Sequence, residues 1–109
     1  DLDRALAGKP RNAFPLLLAH EPDFADEAAT RGLPLQLSGH SHGGQVRLPF
    51  VGALKLPKYG KKYPIGLQRV PRSRTLVYTN RGLGYVNDLP FRFNCPPEVT
   101  EIVLRKLVD

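Results

Sequence analysis

Two apolar segments separated by one short helical segment constrain the fold of this chain more than any other feature. Residues 13–19 form a continuous apolar run, AFPLLLA, which predicts a strand buried on both faces, with Pro15 near its start or at a sheet edge. Residues 23–31 predict a helix with Pro22 or Asp23 at its start, and residues 33–37 predict a second strand. A strand, a helix and a strand in this order predict a βαβ unit whose two strands are parallel.

A histidine follows each of these two strands. His20 ends the first segment, and His40 and His42 lie in the glycine-rich loop of residues 39–45. Because parallel strands end at the same edge of a sheet, we expect His20 and His40 to lie about 5 to 10 Å apart and all three histidines to converge. Neutral imidazole is the commonest metal ligand, and glycines let a loop approach a bound ion. The sequence therefore predicts a metal site formed by His20, His40 and His42.

The rest of the chain predicts shorter elements around this unit. They are a helix at 1–7, short strands at 45–48 and 53–56, a hairpin of strands at 66–70 and 75–79, and a last strand at 98–107. The expected fold class is α/β, with a mixed sheet in which antiparallel strands from residues 66–107 extend the parallel pair. A length of 109 residues allows one domain at most.

The net charge of +6 favours anionic partners without identifying one. Lys61 and Lys62 lie in a basic, proline-rich segment and are candidates for binding a phosphate or an anionic membrane surface, although a solvated surface is the simpler interpretation. Alternating lysine and tyrosine there is also compatible with nucleic acid, which we disfavour. The apolar runs are far shorter than the roughly 20 residues that cross a bilayer.

Three further residues have more than one interpretation. Arg81 could bind a phosphate with two hydrogen bonds, or pair with Asp88, or cap backbone carbonyls. Gln45 could orient a site, or form hydrogen bonds within its own turn. Cys95 is the only cysteine, which excludes an internal disulfide, and we expect a small buried residue rather than a nucleophile.

Three segments of the chain resemble a known family. LLLAHEPDF and LSGHSHGGQVRLP resemble the last two motifs of the calcineurin-like metallophosphoesterases, and YTNRGLGYVNDLPFRFNCPPEVTEIVLR is similar to the ending of the YkuE-type bacterial branch. The resemblance implies the C-terminal half of a β-sandwich flanked by helices. Residues 1–109 would then be the C-terminal portion of a single domain whose N-terminal half lies outside this sequence.

The resemblance also implies a reaction and a set of ligands. The family hydrolyses phosphodiesters or pyrophosphates by a metal-bound hydroxide held between two divalent ions, which could be Mn, Fe or Zn. His20 and His40 match ligands of the second ion, and His42 matches a ligand of the first. The bridging aspartate and the histidine that serves as general acid belong to motifs outside this chain. The chain alone is therefore expected to be inactive.

Two other functions remain open from the sequence. His20, His40 and His42 could hold one zinc ion with water as the fourth ligand, or the chain could be a basic module that binds phospholipid or other anions. Under the family resemblance, the expected partners are a phosphoester substrate and the N-terminal half of the same domain. An anionic membrane surface and self-association through exposed core surface are further candidates. The resemblance also implies a membrane-associated or exported bacterial protein.

Overall fold

A four-stranded mixed sheet lies at the centre of the chain. The computed structural model describes residues 1–108. Its strands are β1 (Leu16–Leu18), β2 (Leu35–Ser38), β3 (Arg47–Leu48), β4 (Gly52–Ala53), β5 (Gly66–Arg69) and β6 (Leu76–Thr79), and its α-helices are α1 (Leu2–Leu6) and α2 (Ala25–Thr30). The large sheet has the order β1-β2-β6-β5, and β3 and β4 form a separate antiparallel pair.

The predicted βαβ unit is confirmed. Strands β1 and β2 pair in parallel, with Leu16 opposite Leu35. Helix α2 follows a 3₁₀ turn at Pro22–Phe24 and buries Ala25 and Ala28 completely. Because α2 packs on the sheet and both strands run the same way, the segments after β1 and β2 leave the sheet at one edge.

The predicted hairpin of β5 and β6 is also confirmed, but the direction of its strands relative to the βαβ unit differs from the expectation. Strand β6 pairs in parallel with β2, and β5 is antiparallel to β6 at the outer edge. We expected only antiparallel additions here. The connection of residues 39–65 carries the chain past the β6 position to the outer edge, so β6 returns inward in the same direction as β2.

The sequence predicted that β1 would be buried on both faces. In the structure β1 is an edge strand whose side chains are partly exposed. Leu16 is 41% and Leu18 is 74% exposed, and the strand begins directly after Pro15. The proline at the edge position agrees with the sequence, since a residue without an N–H is tolerated there. The apolar run therefore has one partner strand, β2, in the described part of the chain.

The prediction of a last strand at residues 98–107 is also wrong for the described residues. Residues 98–107 form no strand, and most of their apolar side chains are exposed. The backbone N–H of Glu98 donates to Gly82, at 3.0 Å, and the Tyr78 hydroxyl donates to the Glu98 carboxylate. Side-chain bonds therefore attach the start of this segment to the end of β6, while its β-branched residues have no neighbouring strand to pair with. The β-sandwich implied by the resemblance stays a prediction.

Two small groups of buried side chains form the core. One contains Ala25, Tyr63, Val70 and Val77, and the other contains Leu2, Ala28 and Leu33. Both lie against helix α2, which is why its alanine face is buried. Among residues 1–108, no helix combines the length and apolar character needed to cross a membrane.

Candidate metal centre

The loop after β2 has a backbone conformation that few residues adopt. Its φ angles are positive at His40 (66°), His42 (50°) and Gln45 (55°), as well as at Gly43 (62°) and Gly44 (85°). Non-glycine residues in this left-handed region cost about 1 to 3 kcal/mol each and concentrate at functional sites. The fold therefore holds both histidines in strained conformations that the sequence did not predict.

Two glycines allow this loop to pack closely against the rest of the chain. A Cβ atom on Gly43 would lie 2.6 Å from the Cys95 sulfur, and one on Gly44 would lie 2.4 Å from the Ala53 Cβ. Both distances are too short for real atoms, so neither position has room for a side chain. Cys95 is buried, as expected, and acts here as a packing residue behind the loop.

His20 and His40 lie in direct contact at the edge of the sheet. The His40 Nδ1 and the His20 Nε2 are 3.2 Å apart, and the ring centroids are 4.8 Å apart. Two nitrogen ligands on one tetrahedral zinc ion, each about 2.0 to 2.1 Å from it, would be about 3.3 Å apart. The two nitrogens are within hydrogen-bond distance, and their separation also fits a pair of imidazoles that share one ion. The expected proximity of His20 and His40 is confirmed.

The carbonyl of Lys58 fixes which nitrogen of His40 faces His20. This carbonyl oxygen lies 2.9 Å from the His40 Nε2, and a carbonyl can only accept a hydrogen bond. The proton of neutral His40 is therefore on Nε2, and the lone pair is on Nδ1, toward His20. A backbone carbonyl that orients a histidine in this way is the usual partner of a metal ligand.

His42 is separate from this pair. Its Nδ1 is buried and has no hydrogen-bond partner among the described residues. Over residues 1–108, no three His, Cys, Asp or Glu side chains lie together in a group that could hold one ion. The three histidines therefore do not form one group that could hold a single ion, although His40 and His42 line the same cavity. The lack of a three-histidine group among residues 1–108 disfavours one zinc ion held by His20, His40 and His42 together.

Arg92 supports His42 and was missed by the sequence analysis. Its guanidinium donates hydrogen bonds to five backbone carbonyls, those of Arg81, Gly82, Gly84 and Cys95 and, at 3.3 Å, that of His42. It therefore joins the loop of residues 39–45 to the two segments that follow β6. No local pattern marks this role, since the bond to His42 spans 50 positions.

Asp23 also has a role that the sequence did not indicate. We expected a helix start, but the Asp23 side chain makes no cap bond and instead accepts three backbone N–H groups, from Lys61 (3.0 Å), Lys62 (2.9 Å) and Tyr63 (3.3 Å). The Asp23 N–H donates to the carbonyl of Tyr59 at 3.0 Å. Asp23 thus fastens the segment that carries the Lys58 carbonyl against the histidine pair.

We expect Asp23→Asn to loosen this segment, because an amide offers one acceptor oxygen where the carboxylate offers two. The amide protons of residues 61–63 should exchange faster with solvent, and the fraction of His40 with its proton on Nε2 should fall. Hydrogen exchange and histidine ¹⁵N shifts measure these effects. The matched control is Asp26→Asn, since among residues 1–108 the Asp26 carboxylate bonds the side chains of Lys62 and Tyr63 and no backbone N–H of residues 61–63. Equal effects of both variants would contradict the role of Asp23.

The candidate Gln45 has a structural role in this fold. Its side chain is 2% exposed, and its amide donates to the carbonyls of Leu89 (2.6 Å) and Phe91 (3.3 Å) while its oxygen accepts from the Val86 N–H at 2.6 Å. These bonds use its donors and its acceptor on the backbone of residues 86–91. Gln45 therefore holds this loop against residues 86–91, and a role in orienting the site stays a prediction.

Arg81 pairs with Glu98 and not with Asp88. Its Nε and its backbone N–H each lie 3.0 Å from the same carboxylate oxygen. Burial opposes ionisation of Glu98, but hydrogen bonds from Thr100, Tyr78 and Arg81 outweigh it and lower the pKa of Glu98 to about 2. The Arg81 side chain is therefore engaged in an ion pair with Glu98. Phosphate binding by Arg81 stays a prediction.

The two lysine candidates lie beside the centre without contacting it. The Lys62 ammonium pairs with Asp26, whose pKa is lowered by the hydrogen bond from Lys62. The Lys61 side chain is exposed. Their segment approaches the loop of residues 39–45, since a Cβ on Gly60 would lie 3.6 Å from the His40 ring. The basic segment therefore runs beside this edge of the sheet, while binding of a phosphate by Lys61 or Lys62 stays a prediction.

A cavity of about 470 Å³ opens next to the two loop histidines. His40 and His42 line one side, and Lys55 and Asp88 add charged groups. The remaining wall is largely apolar and is formed by Leu56, Pro57, Val86 and Leu89. A cavity with a few polar groups on one side and apolar walls elsewhere is the usual form of a site for an organic ligand.

Comparisons with known proteins agree with the family that the motifs indicated. The chain is 43% identical to the uncharacterized metallophosphoesterase YkuE of Bacillus subtilis, over 96% of this chain and 36% of that protein. It is 42% identical to the phosphodiesterase YaeI of Escherichia coli, over 82% of this chain and 32% of the relative. It is 34% identical to the UDP-2,3-diacylglucosamine pyrophosphatase LpxG of Chlamydia muridarum, over 77% of this chain and 27% of the relative.

No family model matches the chain, and no solved structure gives a significant match. The chain nevertheless belongs to the metallophosphoesterases, because the matches cover most of its length and include the segments that carry the histidines. It spans about a third of the length of the first relatives that it matches. The relatives are hydrolases by name.

Proposed function

We propose that this chain is part of a metal-dependent phosphoester hydrolase and supplies three histidine ligands to its dinuclear centre. His20 and His40 would hold one ion together, and His42 would hold the other. The observation that carries this proposal is the 3.2 Å approach of the His20 and His40 nitrogens at the ends of parallel strands. The buried, unpartnered Nδ1 of His42 is consistent with a separate ligand role.

The chain's own residues would prepare this centre before any ion binds. The Lys58 carbonyl keeps the lone pair of His40 directed at His20, and Arg92 fixes the backbone of His42. Two bound divalent cations would supply a nucleophile from water near neutral pH and would neutralise charge on the phosphoryl oxygens. Lys55, on the cavity wall, provides a positive charge for an anionic substrate.

The exposed apolar surface indicates where the rest of the domain would bind. Strand β1 has a free edge with Leu16 and Leu18 exposed, and Val99 and Leu107 are exposed in the unpaired segment of residues 98–108. Such surface is normally covered. We propose that an N-terminal half covers it, completes a β-sandwich and contributes the bridging aspartate and the general acid. The chain would then be the C-terminal portion of one domain.

The substrate would be a phosphodiester or a pyrophosphate. The names of the relatives include a phosphodiesterase and a pyrophosphatase, and the cavity beside His40 and His42 combines charged groups with an apolar wall. Some relatives are named as transmembrane proteins with a metallophosphoesterase domain. A membrane-associated or exported location is therefore proposed for the protein that carries this chain.

Complementation tests this function. We expect the chain alone to leave a generic phosphodiester, such as bis(p-nitrophenyl) phosphate, unhydrolysed in the presence of manganese. Joined to a polypeptide that carries the bridging aspartate and the general-acid histidine, it should hydrolyse the same compound. The matched control is the joined protein with His42→Ala, which should lose this activity. Manganese-dependent hydrolysis by the chain alone, abolished by His42→Ala, would contradict the proposal.

A further inference from the structure

The hairpin of β3 and β4 carries four exposed large apolar side chains. Phe50 at its tip is fully exposed, and Val51 beside it is 69% exposed. Leu48 and Leu54 at the two ends are also exposed. We call residues 48–54 the apolar hairpin. Four large apolar side chains on so small an element exceed the scattered exposure that is normal on a surface.

Hydrogen bonds to the rest of the chain order the base of the apolar hairpin. Strands β3 and β4 pair through Arg47 and Ala53, the Leu54 N–H donates to Val46 at 3.2 Å, and the Arg47 guanidinium donates to the Gly43 carbonyl at 3.0 Å. On the other side, the Arg47 N–H donates to the Phe93 carbonyl at 3.0 Å. Because the base is ordered by these bonds, little conformational freedom remains to be lost when the tip meets a partner.

Basic and aromatic residues follow the hairpin directly. Lys55 and Lys58 are exposed, and the Lys58 ammonium lies 4.6 Å from the ring of Tyr59, which is also exposed. An apolar tip with lysines and a tyrosine beside it matches a membrane surface, where apolar groups enter the acyl boundary, tyrosine sits at headgroup level and lysines meet anionic lipids.

The charges of Lys55 and Lys58 favour an anionic lipid surface over two other partners, a protein core and a second copy of this chain. Covering the tip with a protein core would bring Lys55 and Lys58 toward an apolar environment, and lysine is almost never fully buried without a partner. Two copies of this chain meeting through their hairpins would bring like charges together. An anionic lipid surface covers the apolar tip and attracts the lysines at the same time.

We propose that the apolar hairpin is a docking element for an anionic lipid surface. Phe50 and Val51 enter the lipid, and Lys55 and Lys58 bind anionic headgroups. The cavity beside His40 shares Lys55 with this surface, so docking holds the mouth of the cavity next to the lipid. The proposal concerns lipid binding alone, so it stands or fails separately from phosphoester hydrolysis.

Tryptophan fluorescence tests the insertion directly, because residues 1–109 contain no tryptophan and the difference between variant and wild-type emission reports on the new side chain. We expect the emission of a Phe50→Trp variant to shift to the blue when vesicles of phosphatidylcholine and phosphatidylserine are added. Vesicles of phosphatidylcholine alone should produce a smaller shift, and salt should reduce it. The matched control is Leu67→Trp, at an exposed position on β5, whose emission should not move. An unshifted Phe50→Trp, or equal shifts in both variants, would overturn the proposal.

Sedimentation with the same anionic vesicles gives a second measure. Phe50→Ser should weaken binding about tenfold, and Lys55→Gln with Lys58→Gln should weaken it by about fivefold for each charge removed. Arg72→Gln with Arg74→Gln removes the same charge from the β5–β6 turn and should have little effect. Circular dichroism confirms that each variant is folded. Dimers that Phe50→Ser dissociates in the absence of lipid would assign the hairpin to self-association and overturn the proposal.

Discussion

Replacing Gly44 by alanine is expected to destabilise the chain by about 2 to 5 kcal/mol. The new Cβ would lie 2.4 Å from the Ala53 Cβ and 3.1 Å from the Lys55 carbonyl oxygen, and the backbone φ of +85° is unfavourable for any side chain. Overpacking costs about 1 to 3 kcal/mol, and the left-handed conformation adds about 1 to 2 kcal/mol. Since small domains are stable by only about 5 to 15 kcal/mol, urea unfolding should show a large loss or no cooperative transition.

The control for Gly44→Ala lies five residues earlier in the same loop. A Cβ on Gly39 would have no atom within 4 Å, and its φ is outside the left-handed region. The N–H of Gly39 donates to the His20 carbonyl at 3.2 Å, and alanine keeps that N–H. Gly39→Ala should therefore change stability by less than about 0.5 kcal/mol. Similar stability of the two variants would contradict the close packing of the loop.

In the intact hydrolase, His40→Ala and His42→Ala are each expected to lower kcat/KM by about 10³-fold or more. Each variant removes a ligand from one of the two proposed ions, and a catalytic ion contributes several kcal/mol to stabilising the transition state. A factor of ten corresponds to about 1.4 kcal/mol. Raising the manganese concentration should restore part of the activity, because weaker binding can be offset by mass action.

Arg72→Ala is the control for these histidine variants. Arg72 lies in the exposed turn between β5 and β6, away from the histidines in the fold, and its replacement should leave kcat/KM within about twofold. A His40→Ala enzyme with the kcat/KM of the wild type would show that His40 is not a ligand. A loss that additional manganese cannot reduce, accompanied by unfolding, would assign His40 a purely structural role.

The sequence predicted those parts of the fold that depend on local patterns. Residues 13–19 and 33–37 are apolar, the alanines of α2 share one face, and each strand is followed by a histidine, so the βαβ unit and the meeting of His20 with His40 could be deduced from neighbouring residues. The hairpin of β5 and β6 was deduced in the same way from two strand patterns and a turn.

Other features depend on parts of the chain that are distant in sequence. Asp23 accepts hydrogen bonds from residues 38 to 40 positions away, and Arg92 reaches the His42 carbonyl across 50 positions. The Lys58 carbonyl that orients His40 is a backbone group, which no residue type reveals. A β-branched pattern at residues 98–107 predicts a strand only if a partner is present, and no such partner pairs with it in the described residues.

The separation of His42 from the other histidines depends on backbone angles. His40 and His42 are one residue apart, and spacing alone suggested that they face the same ion. The φ values are positive at His40 and His42, with Ser41 at −71° between them, and such backbone angles cannot be read from the spacing of the residues. The described residues therefore contain a histidine pair and a separate His42 instead of one three-histidine group, which is compatible with the dinuclear centre that we propose.

Cadmium NMR on the intact protein tests this arrangement most directly. The native metal would be replaced by an NMR-active cadmium isotope, and couplings between cadmium and histidine nitrogens would be assigned. We predict that His20 and His40 couple to one cadmium resonance and that His42 couples to a second. Coupling of all three histidines to one resonance, with one cadmium bound per chain, would contradict the proposal that His42 binds a separate ion.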